Sequence, residues 1–251
     1  MQSDLTVVTF EDRPELAELA PSIGAQVWPE YNRHGDVVMP LWPRLAEDHA
    51  RFQLALLDAA GEVVALGWTL PCRWDGTPDG LPAGIDGLFE AAFGDNPQPP
   101  SALSAVAAEV PPERRRAGLS EVILTEMRAL AARHGLTSLI ASLRPTWKDR
   151  YPLAPIERYA RWTREDGQPF DPWIRLHVRL GARILRPEPR SLAISGTVAE
   201  WEGWTGMSFP ESGEYVFPAG LAPVAIDREA DLGRYWEPNV WVAHRPSPRP
   251  L

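Results

Sequence analysis

The sequence predicts a mixed α/β fold, a central twisted sheet flanked by helices. Three observations carry this. The runs "RFQLALLD" (Arg51–Asp58) and "EVVALGWTL" (Glu62–Leu70) are strand-like and joined by a short "AAG" link, which is a hairpin pattern. The run "ALSAVAAEV" (Ala102–Val110) stops at Pro111-Pro112, and an apolar helical repeat and a second strand-like run, Thr137–Leu143, follow it. That is a βαβ unit, whose helical crossover makes its two strands parallel neighbours. A chain of 251 residues with 44% hydrophobic and 24% charged residues has the composition of an ordinary globular protein. The length suits one large domain or two small ones. No stretch reads as a linker, so residues 1–251 are taken as one domain.

The elements follow in order. "LTVVTF" (Leu5–Phe10) alternates and is β-branched, as a strand does. Asp12 and Pro14 mark a helix start, and "PELAELAPSIGAQV" continues at helical spacing, interrupted by Pro21. After the hairpin, "WDGTPDGLPAG" is a loop, "LFEAAF" a short helix and "GDNPQPP" a breaker. From Leu119 the apolar positions Val122, Ile123, Met127 and Leu130 recur every three or four residues, and Gly135 ends the helix. A long irregular segment spans about 144–170. Asp171-Pro172 caps a helix that stops at Gly181. "RILRPEP" and "RSLAISGTV" suggest a strand, "EYVFPAGLAPVAID" is strand-like, and "GRYWEPNVWVAH" is a last strand.

Charge and cysteine content narrow the function classes. The net charge of -9 argues against a general nucleic-acid binder. Cys72 is the single cysteine, so no internal disulfide forms, and a reducing compartment fits. The N-terminal stretch has no basic region followed by an apolar run, and no segment reaches the ~18–20 apolar residues of a membrane span. A cytoplasmic location away from membranes is the expectation. Lys148 is the only lysine among 25 basic residues, so arginine by itself says little. Its position says more. Between Glu113 and Arg186 the chain carries +7, against -16 elsewhere.

That positive segment begins at "PPERRRAGLSEVIL" (Pro111–Leu124), where arginines and a glycine open a helix. A helix N-terminus offers unpaired N–H groups and partial positive charge, and glycine lets a ligand approach the backbone. The expected ligand is an anion, a phosphate above all; the other reading is a solvated basic turn. Val110, Pro112, Arg115, Gly118 and Ser120 stand in the register Val-x-Pro-x-x-Arg-x-x-Gly-x-Ser. Later comes Leu176-His177-Val178-Arg179-Leu180-Gly181-Ala182. With the strands between them, these motifs resemble those of the GNAT superfamily, the GCN5-related acyl-CoA N-acyltransferases, over about Leu5–Asp227. The resemblance implies a sheet splayed between the parallel strands Ala102–Val110 and Thr137–Leu143, where the pantetheine enters. It implies acetyl-CoA or another acyl-CoA as co-substrate, held around Val110, Arg115, Arg116, Ala117, Gly118, Leu119 and Ser120. Ser120 stands where the family has Gly or Ala. No metal is expected, and the acceptor is the amine of a small molecule. A homodimer is compatible with the resemblance.

Acyl transfer from a thioester to an amine needs a base, a polarised carbonyl and a proton for the leaving thiolate. The family's glutamate base corresponds to a place near Ser104, which cannot do that work. Glu109 lies five residues on, on the opposite face of a regular strand unless a bulge re-aims it. It is a candidate base, or else an edge carboxylate facing solvent. His177 takes the place of the family's tyrosine acid. It is a candidate acid that would titrate near neutral pH, or else a packed helix histidine. Tyr151 and Tyr159 are the alternative acids. The 144–170 segment, a lid by its length, is expected to wall the acceptor pocket together with "VWPEYNRHG" (Val27–Gly35) and the tryptophan-rich "WEGWTGMSF" (Trp201–Phe209). Three functions remain open: an N-acyltransferase for small molecules, a catalytically idle CoA-binding or scaffold protein, and an acyltransferase using a carrier-protein thioester.

Overall fold

A computed structural model describes residues 5–95, 98–115 and 117–247. These form one nine-stranded sheet. Strand β1 (Thr6–Thr9) is followed by helices α1 (Leu16–Val27), α2 (Val38–Leu41) and α3 (Arg44–His49). The expected hairpin is β2 (Leu54–Leu57) with β3 (Val63–Cys72). Helix α4 (Gly84–Phe93) precedes the βαβ unit of β4 (Ala102–Glu109), α5 (Leu119–Arg133) and β5 (Ser138–Leu143). The rest is α6 (Ile156–Tyr159), α7 (Pro172–Arg179), β6 (Arg183–Gly196), α8 (Val198–Thr205), β7 (Gly213–Tyr215), β8 (Val224–Asp227) and β9 (Leu232–His244). The strand order is β1-β2-β3-β4-β5-β9-β8-β7, and β6 also pairs with β9.

Strands β4 and β5 are parallel, as a helical crossover requires. They pair only from Ala102–Ser138 to Ala105–Ala141. Past that point β4 stays with β3 as far as Glu109, while β5 stays with β9 as far as Leu143. The sheet therefore parts between Val106–Glu109 and Ser142–Leu143, as the family resemblance implies.

Helix α5 covers one face. Ile123, Met127 and Leu130 are buried against Leu54, Leu56, Val64, Leu103 and Leu139. Each such side chain contributes about 1.5–3 kcal/mol on full burial. Gly67 permits the close fit, because a Cβ there would stand 2.8 Å from Ile123 Cγ1 and 2.9 Å from Met127 Cε. On the other face, α1 and α4 bury Leu16, Ile23, Leu88 and Phe89. Helix α7 starts where Asp171 accepts from Trp173 N (2.9 Å) and Ile174 N (3.2 Å), as its Asp-Pro pair predicts. None of the described helices is long and apolar enough to cross a membrane.

Some local readings change. Helix α1 runs through Pro21, although proline has no N–H to give Ala17. The strand ending at Gly196 is cut by a capping box, Thr197 with Glu200, which starts α8. The strand-like 214–227 run divides between β7 and β8. Residues 144–170 are tied down by buried polar groups. The second carboxylate oxygen of Asp171 accepts from Trp147 N (2.8 Å) and the Tyr159 hydroxyl (2.9 Å). The Lys148 ammonium donates to the carbonyls of Tyr151 (2.9 Å) and Leu221 (2.5 Å), while burial draws its pKa down to about 8.

Candidate active site

The parted edge of β4 opens into a cavity of about 910 Å³. Ala105 to Val110 all line it, and successive strand residues point to opposite faces. The cavity thus wraps around the free edge of β4. Ser120, Leu124 and Met127 of α5 line it on one side of the sheet; Trp28, Trp42 and Gly24 line it on the other.

A bulge decides where Glu109 points. Thr69 pairs with Ala105 but Trp68 pairs with Ala107, so Val106 is the extra residue. Ser104 pairs with Leu70 and Glu109 with Leu66. Since 70, 68 and 66 share a face, Ser104, Ala107 and Glu109 share it too, and the odd spacing of 104 and 109 is reconciled. Ser104 is buried, its hydroxyl has no partner among the described residues, and it does not line the cavity. Glu109 lines it, 2% exposed. Its Oε1 accepts from the Trp28 indole (2.7 Å) and its Oε2 from the Trp68 indole (3.0 Å). Burial raises its pKa above the ordinary carboxylate range, and the two indole donors pull it partly back. A buried, oriented carboxylate of raised basicity suits proton abstraction. Nothing local in the sequence marks Trp28 or Trp68 for this role, since they lie 81 and 41 residues from Glu109.

At the other end, Gly118 takes φ +76° at the N-cap of α5, and no side chain among the described residues caps the helix. A left-handed N-cap favours glycine. The first N–H groups of α5 are therefore left for an external acceptor. Val110, Arg115 and Ser120 line the cavity; Ala117 is exposed, and the Leu119 side chain turns into the core below α5. Arg116 lies outside the described residues. Arg114 faces away and meets Asp58 at 3.4 Å.

His177 is 1% exposed yet lines the cavity. Its Nδ1 is 2.9 Å from His244 Nε2, and Trp173 packs against its ring at 4.5 Å. Its Nε2 has no partner among the described residues. Burial draws His177 well below the imidazole range, with His244 adding to this; His244 itself is drawn down to about 4. The near-neutral titration expected of a free imidazole is therefore not what this setting provides: the ring is held neutral by desolvation. Tyr151 and Tyr159 do not line the cavity, and the Tyr159 hydroxyl is engaged by Asp171.

Of the expected acceptor walls, Val27–Gly35 contributes Val27, Trp28, Pro29, Asn32 and Arg33, and residues 144–170 contribute Arg144 and Thr146. The Trp201–Phe209 run does not reach the cavity. Trp201 and Phe209 are core, Trp201 packing on Tyr31, Phe217 and Tyr235.

No protein-family model matches the chain. An arginine N-acetyltransferase of Aspergillus versicolor, avaD, is 32% identical over 252 residues, spanning 88% of this chain and 86% of that protein. Two solved structures share the fold. One is the GNAT-like decarboxylase GphF in complex with isobutyryl-CoA, with TM-score 0.60, 18% identity and coverage of 97% of this chain and 99% of that one. The other is the loading GNATL domain of CurA from Lyngbya majuscula, with TM-score 0.57, 16% identity and coverage of 98% of both chains. The extended identity to an acetyltransferase, on a sheet that parts between β4 and β5, places the chain in the GNAT superfamily of acyl-CoA-dependent N-acyltransferases.

Proposed function

We propose that the chain transfers an acetyl group from acetyl-CoA to an amine of arginine or a close amino-acid relative. The observation that carries the catalytic part is Glu109, a buried carboxylate aimed by two indoles into the cavity at the parted strand edge. The acceptor and the acetyl donor are supported by the relative's name, arginine N-acetyltransferase. The N–H groups around Gly118–Ser120 bind the coenzyme pyrophosphate, with Arg115 and Ser120 at the cavity wall and Val110 beside them. Glu109 takes the proton from the attacking amine as the C–N bond forms and the C–S bond breaks. His177, neutral, lines the cavity with its buried Nε2 unpartnered among the described residues; in the tautomer with the proton there it is the group to hydrogen-bond the departing sulfur. The alternatives of an idle fold or a carrier-protein thioester have no comparable observation behind them.

The test is free-thiol release from acetyl-CoA with a panel of amino acids that includes arginine, for the natural chain and Glu109→Gln. Arginine-dependent release that falls about 10²–10⁴-fold in the variant, with CoA affinity kept, is the expected result. Release unaffected by Glu109→Gln removes Glu109 as base. Turnover of other amino acids with none of arginine removes arginine as acceptor.

A further inference from the structure

Arg144 follows the last residue of β5, where the strands have already parted. Its Nε donates to Glu237 Oε1 (2.9 Å), and its Nη2 donates to the Tyr31 hydroxyl (2.9 Å) and the Ala219 carbonyl (2.7 Å). Glu237 is 2% exposed and already surrounded. Asn32 Nδ2 (2.9 Å) shares Oε1 with Arg144, the Tyr235 hydroxyl (3.2 Å) donates to Oε2, and the Tyr31 hydroxyl, whose one proton is shared with the Ala219 carbonyl (2.9 Å), lies 3.1 Å from Oε2. Glu237 lines the cavity too, but both its oxygens are engaged by the protein, and it serves to hold Arg144. These bonds use Nε and Nη2 and leave the Nη1 arm of Arg144 without a partner among the described residues, and the side chain lines the cavity with 19% of its surface open. A rigidly held guanidinium with one arm free is a carboxylate receptor.

A second group points the same way. Leu143 pairs with Val240, so Asn239 stands one residue past the last β5–β9 pair, as Arg144 does on β5. Asn239 is 4% exposed and lines the cavity. Its Nδ2 is spent on the hydroxyls of Ser142 (3.2 Å) and Ser191 (3.0 Å), which fixes the amide's orientation. Its Oδ1 has no partner among the described residues. A buried carbonyl left bare beside a half-free guanidinium calls for a ligand carrying both N–H donors and a carboxylate.

We infer that Arg144 binds the carboxylate of the acceptor and Asn239 Oδ1 takes one of its N–H groups, so that the enzyme selects amino acids over the corresponding simple amines. This rests on the N-acyltransferase reading with an amino-acid acceptor and names the residues that read it. The pair of substrates L-arginine and agmatine differ only in that carboxylate. The natural enzyme should prefer L-arginine in kcat/KM. Arg144→Lys, which keeps the charge facing Glu237 but lacks the second arm, should lower kcat/KM for L-arginine about 10–100-fold, mainly through KM, while agmatine changes less than about twofold. The double variant Arg144→Gln/Glu237→Gln, which leaves no buried charge alone, should show the same selective loss. The inference is overturned if the natural enzyme uses both equally or prefers agmatine, or if both variants lose the two substrates in parallel. Carrying other L-amino acids and their decarboxylated amines through the same assay separates the two readings. Preference for another amino acid over its amine, with arginine unused, sinks arginine alone and leaves the carboxylate receptor standing.

Discussion

The indole of Trp28, at the end of α1, donates to Glu109 at 2.7 Å across 81 residues of sequence. The bond joins the helical N-terminal segment to the bulged strand at the point where the sheet parts. It also sets the basicity of the carboxylate, because a donor to the charged form lowers its pKa. Trp28→Phe removes that donor and keeps most of the ring volume. The Glu109 pKa should then rise further, and the acidic limb of the kcat/KM profile should move to higher pH. A profile unchanged from that of the natural enzyme would mean that Glu109 is not the group titrating in it.

Gly118→Val places a β-branched residue at φ +76°. The strain should cost about 1–3 kcal/mol of stability. Coenzyme affinity should fall much more than this cost explains, because the side chain blocks approach to the first N–H groups of α5. Calorimetric titration with CoA, set beside the unfolding midpoint, separates the two effects. A destabilised variant with unchanged CoA affinity would move the pyrophosphate elsewhere.

Asp86, near the start of α4, is buried, and its pKa is pushed up to about 6 by desolvation. One oxygen accepts from Ala193 N at 2.7 Å and the other has no partner among the described residues. A folded-state pKa above the unfolded value means a stability contribution fully present below about pH 3.9 and lost as pH rises through 6. Asp86→Asn keeps the acceptor and removes the charge. It should raise the unfolding midpoint at pH 7.5 by about 1–3 kcal/mol in equivalent stability and change little near pH 4. Equal effects at both pH values would show that charge burial is not the cause.

The His177–His244 pair has the opposite sign. Both histidines are held below the unfolded value of about 6.5, His244 down to about 4. The unfolded chain takes up protons that the folded chain refuses, so stability is lost as pH falls from about 6.5 towards 4. His244→Gln should narrow the gap between unfolding midpoints at pH 7.5 and pH 5. His177→Gln should do the same and also lower turnover, by about 10²-fold, if Nε2 serves the departing sulfur. Loss of acid sensitivity with full turnover would leave His177 a packing residue.

The sheet was largely legible because its signals are local. The hairpin link, the Pro111-Pro112 stop, the glycine turn and the Asp171-Pro172 cap each announce themselves within a few residues, and the crossover rule then makes β4 and β5 parallel. The capping box Thr197–Glu200 was equally local but lay hidden at the end of a strand-like run. The site was legible only where it follows the backbone. Gly118 and Ser120 sit in a linear motif. The direction of Glu109 depends on a one-residue bulge, which no spacing rule reveals. Arg144, Glu237 and Tyr31 meet across 93 and 113 residues, so their partnership exists only in the folded chain. The Trp201–Phe209 run misled because its aromatic content suits a pocket wall and a core equally well, and packing assigned it to the core.

Strand β9 pairs with β5, β6 and β8, and all three precede it in the chain. During synthesis β5 therefore leaves the ribosome with one edge of N–H and C=O groups unclaimed, and Glu237 and Asn239 are not yet made when Arg144 emerges. The nascent chain must wait about a hundred residues, or some seconds of translation at about 5–20 residues per second, before that edge is covered. An exposed apolar edge over that interval invites pairing with other chains. Expression with holdase chaperones should raise the yield of folded protein more than any stabilising change confined to the hairpin, and slowing translation before β9 should lower it.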